Sequence, residues 1–280
     1  MIKNKALAIV TGYWKPNTDF LQEIVSNIKG KIVDGDFVVV SEKAISVAMN
    51  NIVDESTAKP SLSAKFIAQI WMPIVWGRFL GVLCRFHWKL LYRLRYYPLD
   101  VGSRHKQITL QYAGLLQSLM FGSEGGIDGS NLAYSYVSLP LKNAGEIAEV
   151  IRRHVVSKIG REVCVMIVDT DKTYSFRNFH FTPRPCPAYG IHSFGGVFSF
   201  VIGRMLRLRR RATPIGVAGF KLTSEEALEI ADFSNRVRGF GSGRTVWDMA
   251  ERFNVGLADV SWEMLETAKH KPIVIVRRKR

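Results

Sequence analysis

Two stretches gather the oxygen-bearing side chains that group-transfer chemistry needs. Gly122-Ser-Glu-Gly-Gly-Ile-Asp-Gly-Ser-Asn131 is a glycine-rich turn carrying Glu124, Asp128, Ser130 and Asn131, and Val168-Asp169-Thr170-Asp171 places two carboxylates and a hydroxyl behind an apolar run from Val163. A carboxylate just past a buried strand is fixed by the strand yet stays solvated, so the two stretches read as halves of one polar site. Two further turns suit anions. Ser41-Glu-Lys-Ala-Ile-Ser46 leaves a strand for a helix with Glu42 and Lys43 in its first turn, an arrangement that offers backbone N–H groups and a lysine to phosphate; an ordinary helix cap looks the same. Gly239-Phe-Gly-Ser-Gly243 opens onto a helix capped by Thr245 and reads as an anion-binding loop through Gly239, Gly241 and Gly243. The histidines show no HxxxH or HxH spacing, and no Ser/His/Asp order is arguable, so zinc-hydrolase and serine-hydrolase chemistry are unsupported.

Elements to hold these groups follow from periodicity. Ala6 to Tyr13 reads as a buried strand, Phe20 to Ile28 as a helix behind Asp19, and Phe37 to Val40 as a second strand. Gln107 to Gln111 and Leu115 to Phe121 read as a hairpin around Tyr112-Ala-Gly114, Ala144 to Ile159 as a helix, and Val163 to Val168 as a strand terminating at Asp169. Phe66 to Cys84 has only Gln69 and Arg78 strongly polar and continues into the basic Arg85 to Arg95. Spanning a membrane is disfavoured by Arg78 near its middle, with Pro73 and Gly77; residues 66–95 fit a core helix, a dimer interface or a peripheral membrane helix.

Composition bounds the rest. The 280 residues are 47% hydrophobic, enough for a substantial core, and 39 Lys and Arg against 24 Asp and Glu give +15, which favours anionic partners. Three dispersed cysteines suggest neither a disulfide framework nor a CxxC metal site. The first apolar run is too short for a signal peptide, so a cytoplasmic location, with membrane association through 66–95 as an addition, is the expectation.

The order of Phe37-Val-Val-Val-Ser-Glu-Lys-Ala-Ile-Ser46, Gly126-Ile-Asp-Gly-Ser-Asn131, Asp169-Thr170, Pro214-Ile-Gly-Val-Ala-Gly219 and Pro272-Ile-Val-Ile-Val-Arg277 resembles that of the coenzyme F420-0:L-glutamate ligase (gamma-glutamyl ligase) family across most of the chain. The resemblance implies a mixed α/β fold with mixed sheets and flanking helices, a homodimer, and an acid–amino-acid ligase. Such an enzyme uses GTP (or ATP) and Mg²⁺ or Mn²⁺ to join L-glutamate to the carboxylate of an anionic, phosphorylated cofactor-like acceptor. Carried over by position, Asp128, Asp169 and Thr170 are the implied metal ligands, the two carboxylates are the implied catalytic residues, and Asn131 is the implied nucleotide contact; these hard oxygen ligands suit such ions. Lys43, His105 and Lys106 are candidates to hold phosphates or substrate carboxylates.

Departures accompany the matches. Val47 stands where the family carries a nucleotide-touching lysine, and Phe240 where it carries an acid that helps hold metal, so Glu124 or Asp171 is expected to supply the missing oxygen. Within a single 1–280 domain, 61–98 forms an apolar, basic helical segment, and 173–213 and 241–270 are insertions. The first insertion suits a substrate lid, a dimer arm or an interfacial anchor. In the second, Thr245 to Phe253 and Leu257 to Ala268 have helix-turn-helix proportions, but Asp259, Glu263 and Glu266 would face phosphates, so nucleic-acid binding ranks last. A ligase-like paralogue with another acceptor, or one that only binds nucleotide and metal, is the other alternative.

Overall fold

The computed structural model describes residues 4–122 and 124–278; Met1-Ile-Lys, at the head of the segment weighed as a signal peptide, lies outside them. The chain begins with β1 (Asn4–Thr11), α1 (Phe20–Ile28), β2 (Phe37–Ser41), α2 (Glu42–Ala48) and β3 (Ile52–Asp54). A helical block follows: α3 (Leu62–Phe66), a π-helical stretch (Ile67–Leu80), α4 (Gly81–Leu83), α5 (Trp88–Arg95), α6 (Leu99–Tyr112) and α7 (Leu115–Ser118). Then come β4 (Tyr136–Ser138), α8 (Ala144–Ile159), β5 (Cys164–Phe176), β6 (Phe179–Thr182), β7 (His192–Ser193), α9 (Val197–Met205), β8 (Arg209–Ala218), α10 (Ser224–Arg238), α11 (Val246–Phe253), α12 (Trp262–Glu266) and β9 (His270–Arg278).

Seven strands form one mixed sheet in the order β1-β9-β2-β5-β6-β7, with β8 also paired to β5, while β3 and β4 form a separate ribbon. Strand alternation sorts the core into two layers. Val38, Val40, Val165 and Ile167 meet α1 and α8 through Ile24, Ile28, Ile151 and Val155. Val39, Met166 and Val274 meet α10 through Ala227, Ile230 and Ala231. Strands covered on both faces read as unbroken apolar runs, which is why Val163 to Val168 lacks alternation.

Three expectations need correcting. β1 pairs only with β9, so it is an edge strand and not a buried one, with Leu7 and Val10 exposed. The expected hairpin over 107–121 is helical, in α6 and α7. A helix brings His105, Lys106 and Thr109 to one side, where all three bind Glu124; a strand would send 106 and 109 to opposite faces. The strand expected to end at Val168 runs on to Phe176, so the 173–213 segment contributes the end of β5, then β6, β7, α9 and the start of β8 to the main sheet and its cover.

Among the described residues one helix, Leu62–Leu83, is long and apolar enough to cross a membrane. One side of it packs into the domain: Met72 and Trp76 are fully buried, and the indole N–H groups of Trp71 and Trp76 both donate to the Leu119 carbonyl at 2.7 Å. Pro73 lies inside its π-helical stretch, consistent with the missing donor and ring clash that proline imposes on a regular helix.

Candidate active site

A cleft of about 510 Å³ opens where Ser41, the 127–131 turn, Asp169 to Lys172, Arg238 and the 239–245 loop converge, with Phe86, Tyr97 and His105 of the helical block lining its other side. The carboxylates reach it through a break in strand pairing. Between β5 and β8 the register passes from Asp169↔Thr213 to Lys172↔Ala212, leaving Thr170 and Asp171 as two extra residues. Bulges of this kind redirect side chains beside functional sites, and all four residues from Asp169 to Lys172 line the cleft.

Asp128, Asp169, Glu42 and Glu124 are each held by a cation. Lys43 donates to Asp128 Oδ2 at 2.5 Å and to the Ser130 carbonyl and Oγ, both at 2.8 Å, while Asp128 Oδ1 accepts the Ser130 N–H at 2.7 Å. Lys43 therefore ties the first turn of α2 to the glycine-rich turn. Arg184 is almost fully buried between two acids, donating to Asp169 Oδ2 and Glu42 Oε1 at 2.5 Å each. A Cβ at Gly126, where φ is +93°, would overlap the Arg184 guanidinium, so that glycine is what allows the arginine in. Among the described residues Asp169 Oδ1 has only a long contact with Thr170 Oγ1, 3.5 Å away.

Glu42, expected to contact nucleotide, is buried and absent from the cleft wall; it accepts from the Leu141 N–H and from Arg184. Burial pushes its carboxyl up to about 7 against the pull of Arg184. Glu124, expected to replace a lost metal ligand, is likewise committed elsewhere. Its Oε1 accepts from Lys106 at 2.8 Å, and Oε2 from Thr109 at 3.0 Å and His105 Nε2 at 2.8 Å. Burial opposes its charge, but Lys106 and His105 outweigh that and hold the carboxyl down at about 2. His105 and Lys106, taken as phosphate or carboxylate holders, are thus spent on Glu124, with His105 Nδ1 also 2.5 Å from Glu55.

Asn131 works on the loop. Its Oδ1 accepts the Ser242 N–H at 2.5 Å and its Nδ2 donates to the Gly243 and Phe240 carbonyls at 3.0 and 3.3 Å. A Cβ at Gly241 would press on Asn131 Oδ1 at 2.6 Å, and one at Gly243 on the Met249 backbone nitrogen at 2.7 Å. Gly239 also has positive φ. At Phe240 the Arg244 guanidinium sits 4.1 Å over the ring. Val47, in place of a lysine, is buried at the cleft wall.

The cations that the sequence reading missed are Lys172, Arg184 and Arg238. Lys172 and Arg238 line the cleft and have no ion-pair partner among the described residues; Arg238 donates only to Asn235 Oδ1, at 2.7 Å. Burial lowers Lys172 despite Asp232, Asp171 and Asp169, and lowers Arg238 to about 10 against Asp169, which leaves Arg238 charged at neutral pH. Arg184 lies in Pro183-Arg-Pro-Cys-Pro187, a stretch with no pattern pointing to a site. The helix-turn-helix alternative loses its second helix: α12 has five residues, Leu265 is buried and Glu266 pairs with Lys15.

Among the described residues no group of three or more His, Cys, Asp or Glu is placed to hold a metal ion. The donor set still fits Mg²⁺ or Mn²⁺ arriving with phosphate, since such ions are commonly held by one or two carboxylates plus substrate phosphates and water. Asp128, Asp169 and Thr170 line one cleft and carry hard oxygens of the kind such an ion takes.

Comparison with known proteins matches residues 8–278 to the family described as F420-0:Gamma-glutamyl ligase. A relative in Methanocaldococcus jannaschii, an uncharacterized protein, is 33% identical over 287 residues, covering 98% of this chain and 97% of its own. With its mixed α/β sheet and a cleft fed by the Gly126 to Asn131 turn and the Asp169-Thr170 bulge, the chain belongs to the F420-0:gamma-glutamyl ligase family and is a ligase.

Proposed function

We propose that the cleft joins L-glutamate to the carboxylate of an anionic, phosphorylated cofactor-like acceptor, driven by GTP or ATP. The observation that carries this reading is the pairing in one cleft of salt-bridged carboxylates, Asp128 and Asp169, with two cations, Lys172 and Arg238, that have no ion-pair partner among the described residues. These cations suit a polyphosphate, while carboxylates already balanced by Lys43 and Arg184 do not repel it. An acceptor carboxylate oxygen attacks the terminal phosphorus, the bond to the nucleoside diphosphate breaks, and an acyl phosphate results. The neutral amine of glutamate then attacks the acyl carbon, phosphate leaves, the amine gives up a proton, and the amide remains.

Asp128, Asp169 and Thr170 would hold Mg²⁺ or Mn²⁺, which supplies charge neutralisation at the phosphates. Lys172 and Arg238 bind and orient phosphate oxygens. Lys43 and Arg184 fix the two carboxylates, and Asn131 fixes the 239–243 loop that closes one side of the cleft. Positioning and preorganised charge are the main contributions such a site makes to rate.

Calorimetric titration with GTP or ATP in the presence of MnCl₂ tests the reading, followed by release of phosphate that requires both glutamate and an acceptor. Arg238→Gln is expected to weaken nucleotide binding by about tenfold, the loss of one charge-assisted hydrogen bond. Unchanged affinity in that variant removes Arg238 from the phosphate site, and absence of nucleotide binding by the intact protein overturns the reading.

A further inference from the structure

The helical block and α9 leave apolar side chains in water that core packing does not explain. On helix Leu62–Leu83 the outward residues from Phe66 onward are Phe66, Ile70, Ile74, Phe79, Val82 and Leu83, interrupted only by Gln69 and Arg78. An amphipathic core helix places polar residues there. α9 and the Leu206 that caps it repeat the pattern with Phe198, Ile202, Met205 and Leu206. The two elements are neighbours: Phe200 of α9 packs edge-on against Trp76 at 5.6 Å, and the Arg204 guanidinium lies 5.2 Å over Phe86. Phe79, Trp88 and Leu206 are 65, 68 and 65% exposed, too open for side chains in a finished core.

Charge gives the face a partner. No Asp or Glu occurs from Ser61 to Leu99, nor from Lys172 to Ser224. Lys65, Arg78, Arg85, Arg207 and Arg210 are exposed and have no ion-pair partner among the described residues. Arg210 pairs in register with Tyr174, whose ring packs with Phe200, so it belongs to the α9 side of the sheet. Lys89 and Arg93 of α5 are instead neutralised by Asp248 and Glu251 of α11.

We propose that this face docks on an anionic lipid bilayer, with the exposed aromatic and aliphatic side chains in the interfacial layer and the five cations against headgroup phosphates. The helix lies on the surface and does not cross it, because its other side holds Met72 and Trp76 in the domain core. A second copy of the chain is a poorer occupant: a two-fold contact would set these cations against one another, with no acid in either segment to offset them. Phe200 and Arg204 of α9 line the cleft, as do Phe86 and Leu90 of the helical block, so the docked protein keeps its cleft beside the membrane interface.

The test is co-sedimentation of the full-length protein with sucrose-loaded vesicles of phosphatidylcholine, alone or mixed with phosphatidylglycerol, alongside sedimentation velocity without lipid. Partition onto the anionic vesicles is expected to exceed that onto neutral ones by about tenfold or more and to fall at about 0.5 M NaCl. Phe79→Glu with Leu206→Glu is expected to lower it by about tenfold with an unchanged circular-dichroism melt, since both side chains are exposed. Should that variant fail to fold, quenching of the native tryptophan emission by brominated lipid, diminished in Trp88→Phe, reports the same contact. No partition by the intact protein, partition indifferent to the acidic substitutions, absence of quenching in the native protein, or a lipid-free dimer that those substitutions dissociate would each overturn the proposal. Binding to a DNA duplex that rivals the anionic vesicles and ignores Phe79 and Leu206 would do so as well.

Discussion

Arg184 is the side chain on which the site's charges balance. It is buried between Glu42 and Asp169, and its approach requires a residue without a Cβ at position 126. Gly126→Ala combines a positive-φ penalty of about 1–2 kcal/mol with displacement of the guanidinium. Urea denaturation is expected to show a loss of at least that size, and an unchanged midpoint would mean that Arg184 has another route in. Truncation to Arg184→Met strands the buried Glu42 and the half-buried Asp169 and is expected to cost about 3–5 kcal/mol by the same measurement. The second buried cluster sets a pH window. Glu124, held down at about 2, contributes stability that is present above the ordinary glutamate pKa and lost as pH falls toward 2. His105 meets opposition from burial, yet Glu55 and Glu124 raise it well above its usual value. Its contribution is complete below about 6.5 and is lost as pH rises through the folded-state value. Stability from this cluster is therefore greatest between about 4.5 and 6.5. His105→Gln is expected to flatten the alkaline decline in melting temperature and, because His105 also helps hold Glu124 down, to weaken the acid limb without abolishing it; a wild-type-like alkaline slope in the variant would assign that slope to other groups.

At the scale of elements, the feature that matters is the two-residue excess in β5. Asp169 pairs with Thr213 and Lys172 with Ala212, so removing both Thr170 and Asp171 would restore a regular ladder with every later side chain on its present face. Removing Thr170 alone would turn Tyr174, fully buried, toward the opposite face. The double deletion is expected to keep a cooperative melt while losing nucleotide binding, and the single deletion to lose the melt. If both melt alike, the bulge does not set the register. The bulge also explains why the strand predicted to end at Val168 continues: the polar Asp169-Thr-Asp-Lys172 segment looks like a terminus by composition, yet it is a break within a strand whose pairing resumes in the 173–213 segment.

Across the whole molecule, the charge of +15 and the cleft cations would act together on the proposed anionic ligand. Nucleotide affinity is expected to fall as NaCl rises from about 0.05 to 0.5 M, with a shallower slope in Arg238→Gln, measured by titration. A salt-independent affinity would place the nucleotide away from these side chains. Much of the layered architecture was legible beforehand. Phe37 to Val40, Ala144 to Ile159, the buried core of β5 and the closing strand in the Pro272 to Arg277 motif appear where apolar periodicity or the family pattern puts them. Both stretches of oxygen-bearing residues line the same cleft, as their types suggested.

Periodicity is a local property, fixed by which face of a helix or strand each neighbour covers, so these elements can be read from a few residues at a time. Ion pairing is not local. Arg184 meets Glu42 across 142 positions, and Lys43 meets Asp128 across 85. Composition also departs from role at Glu124 and Asn131, which resemble ligands in the sequence but are occupied by Lys106, Thr109 and His105 in one case and by the 240–243 backbone in the other. Residue types and their order declared a ligase of this family. Which carboxylates face the cleft, and which cations line it without an acidic partner among the described residues, was settled by packing, because burial penalises an unpaired charge and the fold decides which charges lie within reach of one another.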